Sequence, residues 1–204
     1  MIYIIITTCI HNKEGIINNY HRELRYIECI NKLLDLLNDD KSIKPIIVEN
    51  NGERETYLDN FVCDIMYTNN NKINCLNKAE NELLDIKEVI KKYNIQDDDT
   101  IIKLTGRYKL LNLNFINVVK EYINTYDAFV KFFNVCTQQY VFDDCVLGLF
   151  AIKCKYLKKF NYKFIKSPEC EFADYVRKKI SNVLDIKVLN LECCFADDLR
   201  ILNI

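Results

Sequence analysis

The chain opens on an unbroken apolar run, Ile2 to Ile6, of the kind expected for a strand covered on both faces in a parallel sheet. A polar stretch from His11 to Asn19 follows. From Tyr20 onward Leu24, Ile27, Ile30, Leu33, Leu34 and Leu37 recur at three- and four-residue spacing, which predicts an amphipathic helix ending near Asn38 to Asp40. Pro45 to Val48 reads as a second strand, stopped by the turn-forming cluster Glu49 to Gly52. A short helix is expected over Arg54 to Asn60 and a third strand over Cys63 to Tyr67, ending in Thr68 to Asn71. The clearest helix runs from Asn77 to Tyr93, where Ala79, Leu83, Leu84, Ile86, Val89 and Ile90 alternate with charges and neither Gly nor Pro intervenes. A fourth strand spans Thr100 to Leu104.

Strands alternating with segments long enough to carry helices predict right-handed crossover units building an α/β, mostly parallel sheet flanked by helices. The second half is less regular. Leu110 to Tyr122 reads as helix, Ala128 to Phe133 and Leu147 to Ile152 as strands, and Pro168 to Ile180 as a helix with Ser167 as N-cap and Pro168 at its first position. Ile186 to Leu191 is expected to close the chain's strands, and no internal repeat or low-complexity linker is visible.

Composition narrows the class. The 204 residues allow one substantial core and are too few for two comfortable enzyme domains. Half are hydrophobic, with four Gly and two Pro, which argues against disorder and long linkers. The net charge of -1 provides no global field for a nucleic-acid backbone or an anionic membrane, so any phosphate recognition is local and no nucleic-acid partner is expected. Ten cysteines without a C-x-x-C pair lack zinc spacing, and a reduced, cytosolic protein with no bridges is the better reading. The opening apolar run is too short for a signal peptide, and no segment approaches the roughly 20 apolar residues of a membrane helix.

The candidate chemistry lies where predicted strands end. Four such ends are polar: Thr7, Thr8 and Cys9 with His11 and Asn12; Glu49, Asn50 and Asn51; Asn69, Asn70 and Asn71; and Lys103 to Tyr108. In an open parallel sheet these ends converge on one edge, where ligands bind. Amides and carboxylates suit a base edge and sugar hydroxyls, whereas Lys103 and Arg107 suit a diphosphate, with Thr105 and Tyr108 adding hydroxyls. Gly106 lets the backbone turn sharply or approach a ligand. His11 sits just beyond the first strand, within reach of a phosphate or sugar. His21 reads as helix surface, and Arg22 and Arg25 on the same helix, though within reach of the site, read as a solvated face.

The train of an N-terminal strand ending in Thr7 and Thr8, then Ile47-Val-Glu-Asn-Asn-Gly52, Tyr67-Thr-Asn-Asn70, Asn77-Lys78 with Glu82-Leu-Leu-Asp-Ile86, and Ile102-Lys-Leu-Thr-Gly-Arg-Tyr108 resembles small GT-A-type glycosyltransferases encoded by large DNA viruses. The resemblance covers the first two thirds of the chain well and the rest loosely. It implies a GT-A-like, Rossmann-like single domain, with residues 1–109 as the half that binds a nucleotide sugar and residues 110–204 as the acceptor half. It further implies transfer of a sugar from a nucleotide-diphosphate donor, a UDP-sugar first, to a glycan or glycoprotein hydroxyl in the cytoplasm, that of the host if the protein is viral. Thr7, Thr8, Glu49 and Asn50 would line the nucleoside, with Asn70, Asn71 and Lys78 nearby. Lys103, Thr105, Arg107 and Tyr108 would face the diphosphate or sugar.

Many GT-A enzymes carry Asp-x-Asp at the end of the fourth strand, binding the Mn²⁺ or Mg²⁺ that neutralises the leaving diphosphate. Here Lys-Leu-Thr-Gly-Arg occupies that place. Asp97, Asp98 and Asp99 precede the strand and are expected at the opposite edge as a solvated turn. A divalent metal and the cationic side chains are the two ways of meeting the leaving charge, and this departure leaves both open. Inversion, expected over retention, needs a carboxylate base at the acceptor oxygen. Glu169, in the first turn of the predicted helix and on the face of Phe172, is one candidate, whereas Glu171 is rotated away. Asp144, beside Asp143, is the other, with acceptor hydroxyls or a metal as alternative ligands. Two further readings compete: a non-catalytic carbohydrate- or nucleotide-sugar-binding protein, and a sugar nucleotidyltransferase, against which stands the lack of a glycine-rich basic loop after the first strand.

Overall fold

The computed structural model describes residues 1–11, 20–38, 40–72, 77–132, 143–196 and 198–204. Asn12, most of the polar stretch to Asn19, Phe133, and the cysteines Cys75 and Cys136 lie outside the described residues.

In chain order the strands are β1 (Ile2–Thr8), β2 (Ile43–Glu49), β3 (Asp64–Tyr67), β4 (Thr100–Thr105), β5 (Lys109–Leu110), β6 (Ala128–Val130), β7 (Leu149–Lys153), β8 (Val183–Asp185), β9 (Leu191–Cys194) and β10 (Ile201–Asn203). The helices are α1 (Tyr20–Leu37), α2 (Lys78–Lys92), α3 (Asn114–Tyr122), α4 (Cys154–Lys159) and α5 (Pro168–Lys179). The main sheet has the order β3-β2-β1-β4-β7-β6-β8. β1 pairs in parallel with β2 and β4, β2 with β3, and β6 with β8, while β7 runs against both of its neighbours. The expected mostly parallel α/β sheet is therefore present. β10, β9 and β5 form a second, three-stranded sheet.

Alternation along the central strands decides which layer each residue meets. Ile4 and Ile6 of β1, Ile47 of β2, and Ile102 and Leu104 of β4 join the core built on α1 and α3. Ile5, Ile46, Val48 and Ile101 face the other way, into the core built on α2, α4 and α5. Pro45 sits inside β2, where it is tolerated because β3 begins its pairing only at Ile46 and leaves that side without a ladder.

Several sequence expectations change for local reasons. The helix over Arg54 to Asn60 shrinks to a single 3₁₀ turn, Tyr57–Asn60, held by a capping box between Thr56 and Asp59. Arg54 is diverted to the carbonyls of Asn51 and Gly52, at 2.8 and 3.2 Å. The helix expected from Leu110 starts at Asn114, because Lys109 and Leu110 pair with Glu192 and Leu191 and the Asn112 side chain accepts from Asn114 N–H at 3.0 Å. No strand spans Ile186 to Leu191: β8 ends at Asp185, and Asn190 takes a left-handed φ of 52° that interrupts extended backbone. Its apolar pattern reflects a buried connector, with Ile186 and Leu189 in the core. Helix α4 and strand β10 had no counterpart in the sequence reading. On α1 the inward face is Arg22, Tyr26, Cys29, Ile30, Leu33 and Leu37, whereas Leu24 is exposed.

The eight described cysteines are free thiols, six of them buried as small apolar side chains. Among the described residues no helix is long and apolar enough to cross a membrane.

Candidate active site

The pairing register brings the carboxyl ends of β1, β2 and β4 level: Thr7 stands beside Thr105, and Thr8 beside Glu49. A cavity of about 480 Å³ opens there, walled also by the start of α2, the start of α5 and the turn between β9 and β10. Of the residues singled out from sequence, Asn50, Asn71, Lys78, Lys103, Thr105, Arg107, Tyr108 and Glu169 line it. Thr7, Thr8, Glu49, Asn70 and Asp144 do not, and each is buried.

The buried group is a scaffold of mutual hydrogen bonds. The fully buried Glu49 carboxylate accepts from Thr8 Oγ1 at 2.8 Å, from Ile10 N–H at 3.1 Å, from Asn51 Nδ2 and, at 3.3 Å, from Arg54 Nη2. It thereby ties the loop after β1 to the loop after β2. Asp85, on the inward face of α2, accepts from Thr68 Oγ1 at 2.6 Å, Asn70 Nδ2 at 2.8 Å and Asn50 Nδ2 at 3.0 Å. Burial pushes its carboxyl up to about 7 despite these three donors. Asn71 donates to Asn51 Oδ1 at 2.7 Å and to the His11 carbonyl at 2.9 Å. The asparagines thus hold one another and the loops in place.

Lys103 is committed as well. Strand alternation turns it towards α2 along with Ile101, and its ammonium meets Glu82 Oε2 at 2.8 Å, Thr105 Oγ1 at 2.6 Å and the Leu147 carbonyl at 3.0 Å. An ammonium has three N–H bonds, and all three are engaged. Lys103 lines the cavity floor with its charge balanced by Glu82.

The guanidinium groups are arranged differently. Arg107 directs Nε to the Cys194 carbonyl at 2.7 Å and lies 5.5 Å from the centre of the Tyr108 ring. Arg25 bonds the Arg107 carbonyl at 3.1 Å and the Glu192 carboxylate at 2.6 Å, which clamps the small sheet against the end of β4. Arg25 and Arg22 are therefore not the solvated face expected of them. Arg22 is 2% exposed and lines the cavity, and its Nη2 reaches the Cys9 carbonyl and the Tyr26 hydroxyl, each at 3.2 Å. Its position four residues before Tyr26 and seven before Cys29, on the inward face of α1, was the available sequence signal. Glu82 was legible only as part of the motif that carried the resemblance. Phe195, Ala196 and Arg200 reach the cavity through the β9–β10 hairpin, for which the local sequence offered no sign.

Glycines hold two close approaches. A Cβ on Gly148 would stand 2.2 Å from the Tyr108 ring, and one on Gly106 would stand 2.9 Å from Thr8 Cγ2 and 3.1 Å from the Thr7 carbonyl oxygen. Gly106 thus packs tightly at the strand end and also stands in the turn expected of it, which Tyr108 N–H closes onto the Thr105 carbonyl at 2.8 Å.

Glu169 projects from the first turn of α5, which Ser167 caps by accepting from Cys170 N–H at 3.3 Å. Its carboxylate makes no hydrogen bond or ion pair with the described residues and faces the cavity. Glu171 instead accepts backbone N–H groups of Lys163, Ile165 and Lys166. Burial opposes its charge, and these bonds more than offset that, leaving its carboxyl below the usual range. Cys9 also lines the cavity, but burial first and Glu49 second push its thiol up to about 11, so it is no thiolate near neutrality. His11 is exposed and stands apart from this cavity, and His21 is on the helix surface, as expected.

The residues at the end of β4 do not fit a divalent cation. Among the described residues no group of three or more His, Cys, Asp or Glu side chains could hold one. Asp97 and Asp98 lie at the other edge of the sheet, next to Lys158 and Lys155 at 2.6 and 3.8 Å.

No protein-family model matches the sequence, and no curated protein matches it either. Solved structures do match the fold. A protein from Desulfovibrio desulfuricans G20 described as a nucleotide-diphospho-sugar transferase superposes with a TM-score of 0.55 at 10% identity, covering 91% of this chain and 79% of that one. A mannosyltransferase from Pyrobaculum calidifontis, in complex with GDP-Man and Mn²⁺, gives 0.56 at 8% identity, and this chain, covered over 91% of its length, spans 54% of that enzyme. A 4-diphosphocytidyl-2C-methyl-D-erythritol synthase gives 0.52 at 10% identity, over 90% of this chain and 87% of the other. The chain has the α/β fold of the nucleotide-diphospho-sugar transferases.

Proposed function

We propose that this protein is a glycosyltransferase that takes a nucleotide-diphosphate sugar, a UDP-sugar first among donors, and moves the sugar with inversion to a hydroxyl of a glycan or glycoconjugate. The observation that carries the reading is the charge pattern of the cavity. Lys103 and Glu82 cancel, and Arg200 pairs with Asp198 at 3.6 Å, which leaves Arg22 and Arg107 around a space that also admits Glu169, a carboxylate unengaged among the described residues. A surplus of guanidinium suits a diphosphate, and a free carboxylate suits a base. In this reading Asn50, Asn71 and Lys78 contact the nucleoside side of the donor, with Thr7, Thr8, Glu49 and Asn70 positioning them from behind. Thr105, Arg107 and Tyr108 face the diphosphate and sugar, and residues 110–204 contribute the acceptor side. Asp144, fully buried away from the cavity, is left as a positioning group.

The chemistry is a single displacement. Glu169 accepts the proton of the acceptor hydroxyl as its oxygen attacks the anomeric carbon. The bond from that carbon to the donor phosphate breaks, its electron pair leaves on the phosphate oxygen, and arginine charge stabilises the departing nucleoside diphosphate. The test is incubation with a panel of UDP-, GDP- and TDP-sugars, with Mn²⁺ or with EDTA, assayed for released nucleotide. Turnover of one donor that collapses in Glu169→Gln is the expected result. Nucleotide binding without turnover of any donor would leave a binding protein on the same fold.

A further inference from the structure

Arg22 is a buried cation whose partners are incomplete. Its Nη2 bonds two neutral acceptors, while Nε and Nη1 are buried without a hydrogen-bond partner, and no carboxylate pairs with it among the described residues. Leaving a guanidinium in this state is strongly unfavourable, because burial removes water without supplying a counter-charge. A second cation makes the position worse. Tyr26, whose hydroxyl accepts from Arg22, is also an electrostatic neighbour of Arg107, so the two guanidiniums flank one phenol. Both line the main cavity, and Arg22 also lines a second one of about 290 Å³ beside His11, Tyr20 and Tyr57. A buried guanidinium with two unpartnered nitrogens and a half-buried one at the same wall suit a multivalent anion.

We propose that Arg22 and Arg107 together bind the diphosphate of the donor and carry its leaving charge without a divalent cation. The inference rests on the donor reading above and departs from the metal-based arrangement of the Mn²⁺-bound mannosyltransferase that shares the fold. It accounts for three things at once: the cations at the end of β4, the unfilled guanidinium nitrogens, and the lack of a fitting cluster of metal ligands among the described residues. During transfer no atom of the arginines changes bonding. The electron pair released from the broken carbon–oxygen bond stays on the phosphate oxygen, and the acceptor proton goes to Glu169.

The experiment is titration calorimetry of the whole chain with inorganic pyrophosphate, UDP and GDP, in EDTA and then in Mn²⁺, on the wild type, Arg22→Met and Arg22→Lys. The expected result is binding in EDTA that changes less than about threefold with Mn²⁺ and weakens about 10- to 100-fold in Arg22→Met, the range for lost charge-assisted bonds. Arg22→Lys, which keeps the charge but not the fork of donors, falls between. The thermal midpoint of Arg22→Met adds a second readout. A guanidinium kept for a ligand leaves the free protein about as stable when replaced by an apolar side chain of similar size, whereas a structural one lowers it sharply. Binding that requires Mn²⁺, or wild-type affinity in Arg22→Met, overturns the proposal. If no probe binds the wild type under either condition, the donor reading falls with it. If binding follows Arg22 in EDTA but no donor sugar is ever released, the anion site stands and glycosyl transfer does not. The wild-type titrations decide the metal question even if a variant does not fold.

Discussion

At the ends of β2 and β3 the polar side chains answer one another. Asp85 receives Asn50, Thr68 and Asn70, and Glu49 receives Thr8, Ile10, Asn51 and Arg54. At the starts of α1 and α5, on the same edge of the sheet, Arg22 keeps two buried nitrogens without partners among the described residues and Glu169 presents a carboxylate that nothing described engages. Both regions are rich in side chains that bind sugars and phosphates in other settings. The difference is that the first spends its carboxylates and part of its amide capacity on holding the loops, leaving Asn50 and Asn71 some capacity at the cavity, and the second has made fewer such bonds. A polar residue near a cavity is a ligand contact only with capacity to spare, and Lys103, with every N–H used, belongs with the scaffold.

Substitutions in the two regions should therefore fail in different ways. The largest effect is expected at Glu169: Glu169→Gln should lower kcat by about 10²- to 10⁴-fold with KM little changed, the usual contribution of a positioned base. A steady-state assay on the preferred donor measures it, and a change confined to KM would remove Glu169 from the chemistry. Asp85→Ala should act on folding instead. Three donors would lose their acceptor, at about 1 kcal/mol or more each, so urea unfolding should show a loss of about 2 to 4 kcal/mol. Arg107→Ala should weaken donor binding by about 1.5 to 3 kcal/mol in a calorimetric titration, with the fold held by the remaining clamp through Arg25. An unchanged dissociation constant would move Arg107 into the scaffold.

The most gradual effect is one of pH. Because the folded-state carboxyl of Asp85 titrates near 7 and the unfolded one near 3.8, the native state holds the extra proton between those values. Stability from this group is complete below about pH 4 and is lost as pH rises towards 7, by about 1 kcal/mol per pH unit over the middle of that window. Asp85→Asn, neutral throughout, should flatten that slope in unfolding curves taken at pH 5, 6 and 7. An identical slope in the variant would show that another group is responsible.

The strand ends that build the cavity were visible in sequence because a covered parallel strand must be apolar throughout and must stop where polarity begins. Ile2 to Ile6 follows that rule closely, and Thr100 to Leu104 follows it except at Thr100 and Lys103. The N-cap of α5 was visible too, since Ser167 followed by Pro168 satisfies helix-end requirements locally. Arg22 was misread as solvated because an arginine at a helix start is usually so, and only the packing of Tyr26 and the loop after β1 removes its water. The β9–β10 wall escaped for a similar reason, as β9 takes its other partner, the two-residue β5, from far along the chain and β10 is only three residues long.

Periodicity and turn chemistry thus specify elements, their order and the edge where ligand-binding groups gather, because each depends on a few neighbouring residues. Which of those groups is left free to bind depends on who reaches whom. Lys103 is taken by Glu82 across from α2, Asn50 and Asn70 are taken by Asp85, and Arg22 is left incomplete. Those pairings join residues far apart in the chain, at distances that only the packed layers set.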